Sequence, residues 1–311
     1  AFLTIAIFIT CTSTAKQRPE GGWLWKISGN GLSHPSYLFG TYHGTYDILY
    51  QYTDSIPELH QAFNACSQFA GESETTSKPT PAQAGVAIKL PKDTTYADLL
   101  NKEDFHFLDS IVRQSLKSPL NKVYIKPNFL ALILGEIEKG KKLVDTGYSQ
   151  SQIDSMKSQV MDIALEKKAK EKGLTIVGLE GIFDAFVSEK SNLKKEADEL
   201  ISDLREDDEI SPLSFVNTLS DVYRTQNMKS LIDFEVKVDS IFRTSPKLTE
   251  IGKRIREDLL KRRNLNWMNK IPELMKAQPT FIAVGVRHLP GKDGLIALLL
   301  EKGYQVEPIG L

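Results

Sequence analysis

The sequence lacks the signatures of several common enzyme classes. Its 311 residues contain no His-Glu-x-x-His, no Cys-x-x-Cys, no Walker loop and no Gly-x-Ser-x-Gly elbow. These absences argue against the usual zincins, thiol redox enzymes, nucleotide hydrolases and serine esterases. There are only two cysteines, so a lipid on one of them would leave no pair for an internal disulfide.

An excess of charge of one sign is also missing. Lys and Arg number 39 against 40 Asp and Glu, a formal net charge of −1. Without a basic surface to attract phosphates, we expect no nucleic-acid partner. The hydrophobic content of 41% is typical of a globular protein with a sizeable core.

The first 18 residues have the pattern of an export signal followed by a tether. Residues 1–10 are apolar and uncharged, too few to span a bilayer, which takes roughly 20. They fit the apolar part of a secretion signal. Residues 8–11 resemble a bacterial lipobox ending at Cys11, although Phe8 stands where Leu is usual. We predict an exported protein of the periplasm or cell envelope that contacts the membrane only through a lipid on Cys11. The alternative is a buried N-terminal strand.

Strand patterns occur near both ends of the remaining chain and helical patterns between them. A hairpin is predicted at residues 23–39, and further strands at 67–71, 174–177, 281–284 and 304–309. Helices are predicted at 54–65, 94–140, 151–173 and 292–302, and a surface loop at 78–93. Residues 184–276 show only helical periodicity. We predict one α/β domain over residues 19–311: a mixed central sheet flanked by helices, with pseudo-duplicated halves and a helical insertion at about 184–276.

Four predicted strands end in residues that carry chemistry, in mirrored order. In the N-terminal half one strand runs into Gly-x-x-His at His43 and the next ends at Glu72. In the C-terminal half a strand ends at Glu180 and a later one runs into Gly-x-x-His at His288. Ligands of open α/β sheets gather at the carboxyl ends of strands, and glycine permits the sharp turn there. These four ends can therefore bring two imidazoles and two carboxylates to one place.

That set of side chains suits a divalent metal ion. Imidazole nitrogen and carboxylate oxygen are normal ligands of zinc, manganese, cobalt and iron. The predicted ligands are His43, Glu72, Glu180 and His288, with manganese, cobalt or zinc as the metal. Glu72 is also the candidate general base, and Glu74 competes with it for the carboxylate role. A metal-free alternative uses one histidine as base, oriented by a glutamate.

Longer segments around these residues resemble the TraB/GumN family. The segments 25–27 and 37–43 resemble its opening signature, and 283–295, containing Gly-Val-Arg-His-Leu, resembles its closing one. Between them, Gly178-Leu179-Glu180 and the Arg-Asn-x-x-Trp element at 263–267 also match in the expected order. The resemblance spans about residues 22–311.

The resemblance implies an activity and a set of site residues. The family includes the Tiki proteases, membrane-tethered metal-dependent peptidases that trim secreted Wnt proteins, and is related in fold to erythromycin esterase and the ChaN haem-binding proteins. It implies that His43, Glu72 and His288 are active-site or metal residues and that Arg263 contacts the substrate or transition state. Without it, Arg263 and Trp267, four residues apart, would be interpreted as a stacked pair that packs a helix.

These observations lead to one functional hypothesis and two alternatives. The hypothesis is a cell-envelope metal-dependent hydrolase, a peptidase acting on peptides or proteins. The first alternative is a metal-free esterase or amidase that uses the same histidine pair. The second is a non-catalytic protein that binds a peptide or a tetrapyrrole.

Overall fold

The predicted hairpin lies inside a six-stranded mixed sheet. The computed structural model describes residues 21–44, 46–74, 80–184, 192–205 and 212–310. The strands are β1 (Leu24–Gly29), β2 (Ser36–Thr41), β3 (Gln68–Gly71), β4 (Thr175–Gly178), β5 (Thr280–Gly285) and β6 (Tyr304–Ile309). Their order across the sheet is β4-β3-β5-β2-β1-β6. The fold is α/β, as predicted.

Four neighbouring strands run in the same direction. β4 pairs with β3, β3 with β5 and β5 with β2, all in parallel. β1 is antiparallel to both of its neighbours, β2 and β6. The carboxyl ends of β4, β3, β5 and β2 therefore meet at one edge of the sheet, which is where ligand sites of α/β proteins form.

Helices cover the sheet and form a block of their own. They are α1 (Pro57–Asn64), α2 (Pro81–Ile88), α3 (Tyr96–Leu99), α4 (Lys102–Leu116), α5 (Pro127–Asp145), α6 (Gln150–Ser158), α7 (Met161–Glu171), α8 (Leu193–Arg205), α9 (Pro212–Arg224), α10 (Met228–Phe242), α11 (Pro246–Arg254), α12 (Arg262–Trp267), α13 (Ile271–Ala277) and α14 (Leu295–Glu301). A π-helical stretch, Ile255–Lys261, joins α11 to α12. Among the described residues, no helix is long and apolar enough to cross a membrane.

The sheet is held by a core rich in aromatic side chains. Trp23 and Trp25 are buried, and Phe69 and Phe281 of adjacent strands stack with ring centroids 6.4 Å apart. Such rings bury a large apolar area each, which makes them the main contributors to the stability of this layer. A second hydrophobic cluster, containing Leu108 among others, joins α3, α4, α5 and α8.

The structure corrects the sequence prediction in three places. The segment at 78–93 is not a surface loop as far as it is described: residues 81–88 are helical, with Pro81 at the first helical position. The helix predicted at 151–173 is two helices, and the first is capped by Ser149 rather than starting at Ser151. The strand predicted as buried, β4, lies at the sheet edge and is partly exposed.

Long-range backbone hydrogen bonds account for two of these differences. Ile88 and Leu90 bond to residues 124–126, which fixes the end of α2 against a distant segment. The carbonyl of Gln159 accepts from the Tyr50 N–H at 2.7 Å, so the chain leaves helical geometry between α6 and α7. Neither contact has a signature in local sequence.

Candidate active site

The four strand ends place His43, Glu72, Glu180 and His288 at the same edge of the sheet. Glu72 directly follows β3, and Glu180 comes two residues after the end of the neighbouring strand β4. His288 Nε2 lies 3.8 Å from Glu72 Oε1. Arg263 reaches both carboxylates from α12. The structure therefore brings these four residues and Arg263 together.

Gly285, at the end of β5, determines how closely these side chains approach one another. A Cβ atom there would lie 3.1 Å from His43 Cε1, 3.3 Å from Glu72 Oε1 and 3.7 Å from His288 Cδ2. The Gly285 N–H also donates to Glu72 Oε1 at 2.7 Å. The glycine of the second Gly-x-x-His turn thus leaves a small space around which both imidazoles and one carboxylate converge.

Arg263 lies between the two glutamates and uses all of its N–H groups. Nε donates to Glu180 at 3.0 Å, Nη2 bridges Glu72 and Glu180, and Nη1 faces His288 Nε2 at 3.3 Å and the Leu259 carbonyl at 3.4 Å. A guanidinium carries five such donors, so this one is fully used. As placed, Arg263 anchors the carboxylates. Its predicted role at the transition state would require Nη1 to leave His288 or Leu259.

The Arg263 side chain also stacks on Trp267. The guanidinium carbon lies 4.7 Å from the centre of the Trp267 ring. The indole N–H donates to Glu180 Oε2 at 3.1 Å, so both residues hold the same carboxylate. The predicted stacking of this pair is therefore confirmed, whereas the contact of Arg263 with a substrate or transition state stays a prediction. The π-helical turns just before α12 are a feature often found at functional sites.

Asn264 fixes the proton of His288. The Asn264 Nδ2 donates to the carbonyl oxygens of His288 (3.1 Å) and Asp293 (2.8 Å), so its Oδ1 faces His288 Nδ1 at 2.7 Å. Because Oδ1 can only accept, Nδ1 carries the proton and Nε2 keeps its lone pair. Burial, together with nearby Arg263, lowers the pKa of His288 to about 3, although Glu72 opposes this shift. His288 is thus neutral, with Nε2 turned toward Glu72 and Arg263.

Asp162, in the first turn of α7, orients His43. Its Oδ2 lies 3.1 Å from His43 Nδ1, and its Oδ1 accepts from the Thr41 hydroxyl at 2.8 Å. Partial loss of hydration lowers the pKa of His43, but Asp162 more than offsets this and raises the pKa to about 9. The His43 side chain is 52% exposed. With Nδ1 held by Asp162, chemistry at this ring would go through Nε2.

Glu72 is held as an anion. Burial raises its pKa, but His288, Arg263, His43 and the Gly285 N–H together lower it to about 2. A carboxylate with so low a pKa is a weak proton acceptor near neutral pH and a good partner for cations. Glu74, the competing carboxylate, lies instead 3.8 Å from Lys170 and is 40% exposed. The geometry therefore assigns the cluster position to Glu72.

The cluster carries more negative than positive fixed charge. At neutral pH Asp162, Glu72 and Glu180 supply three carboxylates against two cations, the guanidinium of Arg263 and the imidazolium of His43, whose pKa is about 9. When His43 loses its proton to bind a metal, the difference becomes two charges. A divalent cation would balance this difference, and His43, Glu72 and His288, which all pack around Gly285, carry imidazole nitrogen and carboxylate oxygen of the kind that such an ion binds. The donor set thus fits such an ion in chemistry and charge. As the side chains stand, no three His, Cys, Asp or Glu residues in the described part of the chain already form a ligating group.

Sequence reasoning undervalued two residues of this site. Asp162 is not among the residues predicted from the sequence, yet it bonds directly to His43. A signal existed: α7 leads into β4, so its first turn lies at the carboxyl edge of the sheet, level with the strand ends. Asn264 belongs to the Arg-Asn-x-x-Trp element. Its hydrogen bond to His288 joins α12 to the turn after β5, and the spacing of residues within the element does not predict a contact between these two distant segments.

Fold and site together define a class: an α/β protein with a buried cluster of His, Glu and Arg at the carboxyl edge of its parallel strands. Within that class, the chain belongs to the TraB/PrgY/gumN family, whose model matches residues 23–308. No curated protein and no solved structure matches the chain significantly.

Proposed function

We propose that this protein is a metal-dependent hydrolase that acts on peptide bonds. The observation that carries the proposal is the convergence of His43, Glu72 and His288 on the space left by Gly285. In this proposal His43 Nε2, Glu72 and His288 Nε2 hold a divalent cation. The negative charge of the cluster supports a cation there, since a doubly charged ion would neutralise it.

Glu180 is engaged by the side chains of α12. Both of its oxygens accept hydrogen bonds from Arg263 or Trp267. In this proposal Glu180 keeps Arg263 in place, and Arg263 in turn holds Glu72 Oε2 at 2.5 Å. A direct role of Glu180 as a metal ligand stays a prediction, and it would require loss of one of these bonds.

The chain's own residues would prepare the reaction. Asp162 and Asn264 fix the rings of His43 and His288 through their Nδ1 atoms, so both rings would bind a ligand through Nε2. At His288 the ligand would displace Arg263 Nη1, which lies 3.3 Å from that Nε2. When bound, a divalent cation would polarise the substrate carbonyl and acidify a water molecule. Binding would also require His43 to lose its second proton, because only neutral imidazole binds a metal.

A second candidate is a metal-free hydrolase, and one observation favours it. The Asp162–His43 pair already has the arrangement of a general base with its orienting carboxylate. Here His43, once it has lost its Nε2 proton, takes a proton from the attacking water, and Asp162 stabilises the resulting imidazolium. Because the pKa of His43 is about 9, this form would be most active in alkaline solution. This candidate uses the same cleft but has no need for a cation.

Metal analysis separates the two candidates. Protein purified without a nickel column should contain manganese, cobalt or zinc, and a peptide library should be cleaved only by the metal-loaded form. His43→Ala and His288→Ala should each lose metal and activity, with circular dichroism confirming the fold. His60→Ala is the matched control, since His60 also bonds to an aspartate, Asp54, but lies at the surface.

Three other outcomes are informative. Turnover that persists in EDTA and requires His43 and Asp162 would establish the metal-free form. Full activity in both histidine variants would reject the catalytic assignment of the cluster. Tight peptide or tetrapyrrole binding without turnover would favour the non-catalytic alternative.

Export to the cell envelope is part of this proposal and rests on sequence. The apolar residues 1–10 precede Cys11, and all of them lie outside the described residues. Radioactive palmitate should label the wild type and leave Cys11→Ser unlabelled. Recovery of the protein in the cytoplasmic fraction would contradict the proposal.

A further inference from the structure

An apolar groove lies between α5 and α6, beside the candidate active site. Its volume is about 630 Å³, within the usual range for ligand-binding cavities. Leu132, Ile137 and Val144 line it from α5 and Ile153 from α6. Leu132 is 43% and Val144 51% exposed. Large apolar side chains grouped at a surface in this way mark binding sites more often than isolated ones do.

Gly140 widens this groove without a packing reason for being a glycine. It lies within α5 and lines the cavity, and apart from its chain neighbours and the backbone of its own helix no atom of the described residues lies within 4 Å of the position a Cβ would take. Glycine inside a helix costs about 1 kcal/mol relative to alanine. A missing side chain at this point lets a ligand approach the helix backbone closely.

Each wall of the groove is linked to the cleft at His43, one by hydrogen bonds and the other by the chain itself. On the α5 side, Lys139 Nζ donates to the Gly44 carbonyl at 2.9 Å, and Tyr46 donates to the groove residue Glu136 at 3.3 Å. Gly44 directly follows His43 in the chain.

On the other side, α6 ends at Ser158, and the chain continues directly into the wall of a smaller cavity. Val160 and Asp162 line that cavity, of about 220 Å³, together with His43 and Glu72. The groove and the cleft are therefore neighbours joined along the same chain segments.

We infer that the groove binds the apolar side chains of an extended polypeptide whose backbone continues into the His43 cleft. The inference rests on the proposed function and adds its substrate class: polypeptides with an apolar stretch rather than single amino acids. The lining of α5 from Leu132 to Asp145 covers thirteen helical rises, or about 20 Å. An extended chain rises about 3.3 Å per residue, so roughly six residues fit. The polar residues of the groove, Glu136, Lys141, Asp145 and Lys157, carry both signs, which gives no preference for a charged polymer.

A pair of glycine substitutions on one helix tests this inference. Gly140→Leu fills the groove, whereas Gly135→Leu is the matched control, because Gly135 lies on the same helix, also has open space at its Cβ position and does not line the groove. Leucine is the better helix former, so neither variant should lose thermal stability. The probes are two fluorescein-labelled octapeptides, one leucine-rich and one with serine at every leucine. Fluorescence anisotropy in a His43→Ala background measures binding without turnover.

The expected result is that the leucine-rich peptide binds at least tenfold more tightly than the serine peptide. Gly140→Leu should remove that preference and Gly135→Leu should keep it. Equal binding by the two glycine variants would overturn the inference. So would a dimer, seen by analytical ultracentrifugation, that only Gly140→Leu dissociates, because the occupant would then be a second copy of the chain.

The two proposals fail in distinguishable ways. If leucine-rich peptide binds in the groove but wild-type protein never cleaves it, the proposed function is wrong and the inference stands. If wild type cleaves peptides and Gly140→Leu has an unchanged KM for the leucine-rich one, the inference is wrong and the proposed function stands. A correct inference predicts a raised KM for that peptide with little change in kcat.

Discussion

Replacing Arg263 by methionine should destabilise this protein more than any surface charge substitution. Arg263, Glu72 and Glu180 have side chains that are 10%, 18% and 10% exposed, so removing the guanidinium leaves two poorly hydrated carboxylates without their partner. Breaking a buried ion pair on one side costs about 3–5 kcal/mol. Because the total stability of a domain is only about 5–15 kcal/mol, such a loss should be measurable by urea unfolding in EDTA.

The size of this effect should depend on pH in a defined direction. The wild-type pKa of Glu72 is about 2, below its usual 4.5, so this group stabilises the fold above pH 4.5 and loses that effect as pH falls toward 2. Without Arg263 the pKa of Glu72 should rise, and protonation at pH 4 then relieves the buried charge. The difference between wild type and Arg263→Met should therefore be smaller at pH 4 than at pH 7.

Two further variants isolate the cause. Adding Glu180→Gln to Arg263→Met should recover part of the loss, because it removes one of the unpaired carboxylates. Arg254→Met is the control: Arg254 bonds to Glu199 but is 55% exposed, so its loss should cost no more than about 1 kcal/mol. A loss below 1 kcal/mol for Arg263→Met at pH 7, or one that does not change with pH, would refute this account of the cluster.

Three other predictions concern the cleft. Gly285→Ala should slow turnover by about 10- to 100-fold with little change in melting temperature, because the added Cβ displaces His43 and Glu72 by tenths of an ångström. Full activity in this variant would contradict the view that these side chains act together around Gly285. Asp162→Asn should lower the pKa of His43 from about 9, so the acid limb of the kcat/KM profile should move to lower pH; an unmoved limb would show that another group controls it. Glu72→Gln should weaken metal affinity in a calorimetric titration if Glu72 is a ligand, whereas a general-base role would spare binding and slow turnover by about 10²–10⁴-fold.

The position of the candidate site could be read from the sequence because it depends on strand ends. Each Gly-x-x-His turn follows an apolar run, and Glu72 and Glu180 follow two others. Once the runs are assigned to parallel strands, the carboxyl-edge rule places their ends together. The hairpin was equally readable, because Gly29, Asn30 and Gly31 adopt the positive φ values that the Ser-Gly-Asn-Gly turn favours.

Features that depend on contacts between distant parts of the chain could not be predicted from the sequence in the same way. The break between α6 and α7 depends on a hydrogen bond from Tyr50, a hundred residues earlier in the chain. Only one of the contacts of Arg263 could be predicted from the sequence. The four-residue spacing predicts its contact with Trp267 but does not predict its ion pairs with Glu72 and Glu180. Spacing along one helix defines its neighbours on that helix, whereas partners on other elements depend on how the elements pack.

The helices between the strand ends are part of the candidate site rather than additions to it. Each Gly-x-x-His turn supplies an imidazole, but a ring at a strand end is free to rotate unless one nitrogen is held. Asp162 from α7 holds His43 and Asn264 from α12 holds His288, in each case at Nδ1. Both rings would therefore bind a ligand through the same atom, Nε2, which at His288 now faces Arg263. Substitution of Asp162 or Asn264 should accordingly alter chemistry at the cleft before it alters the stability of the sheet.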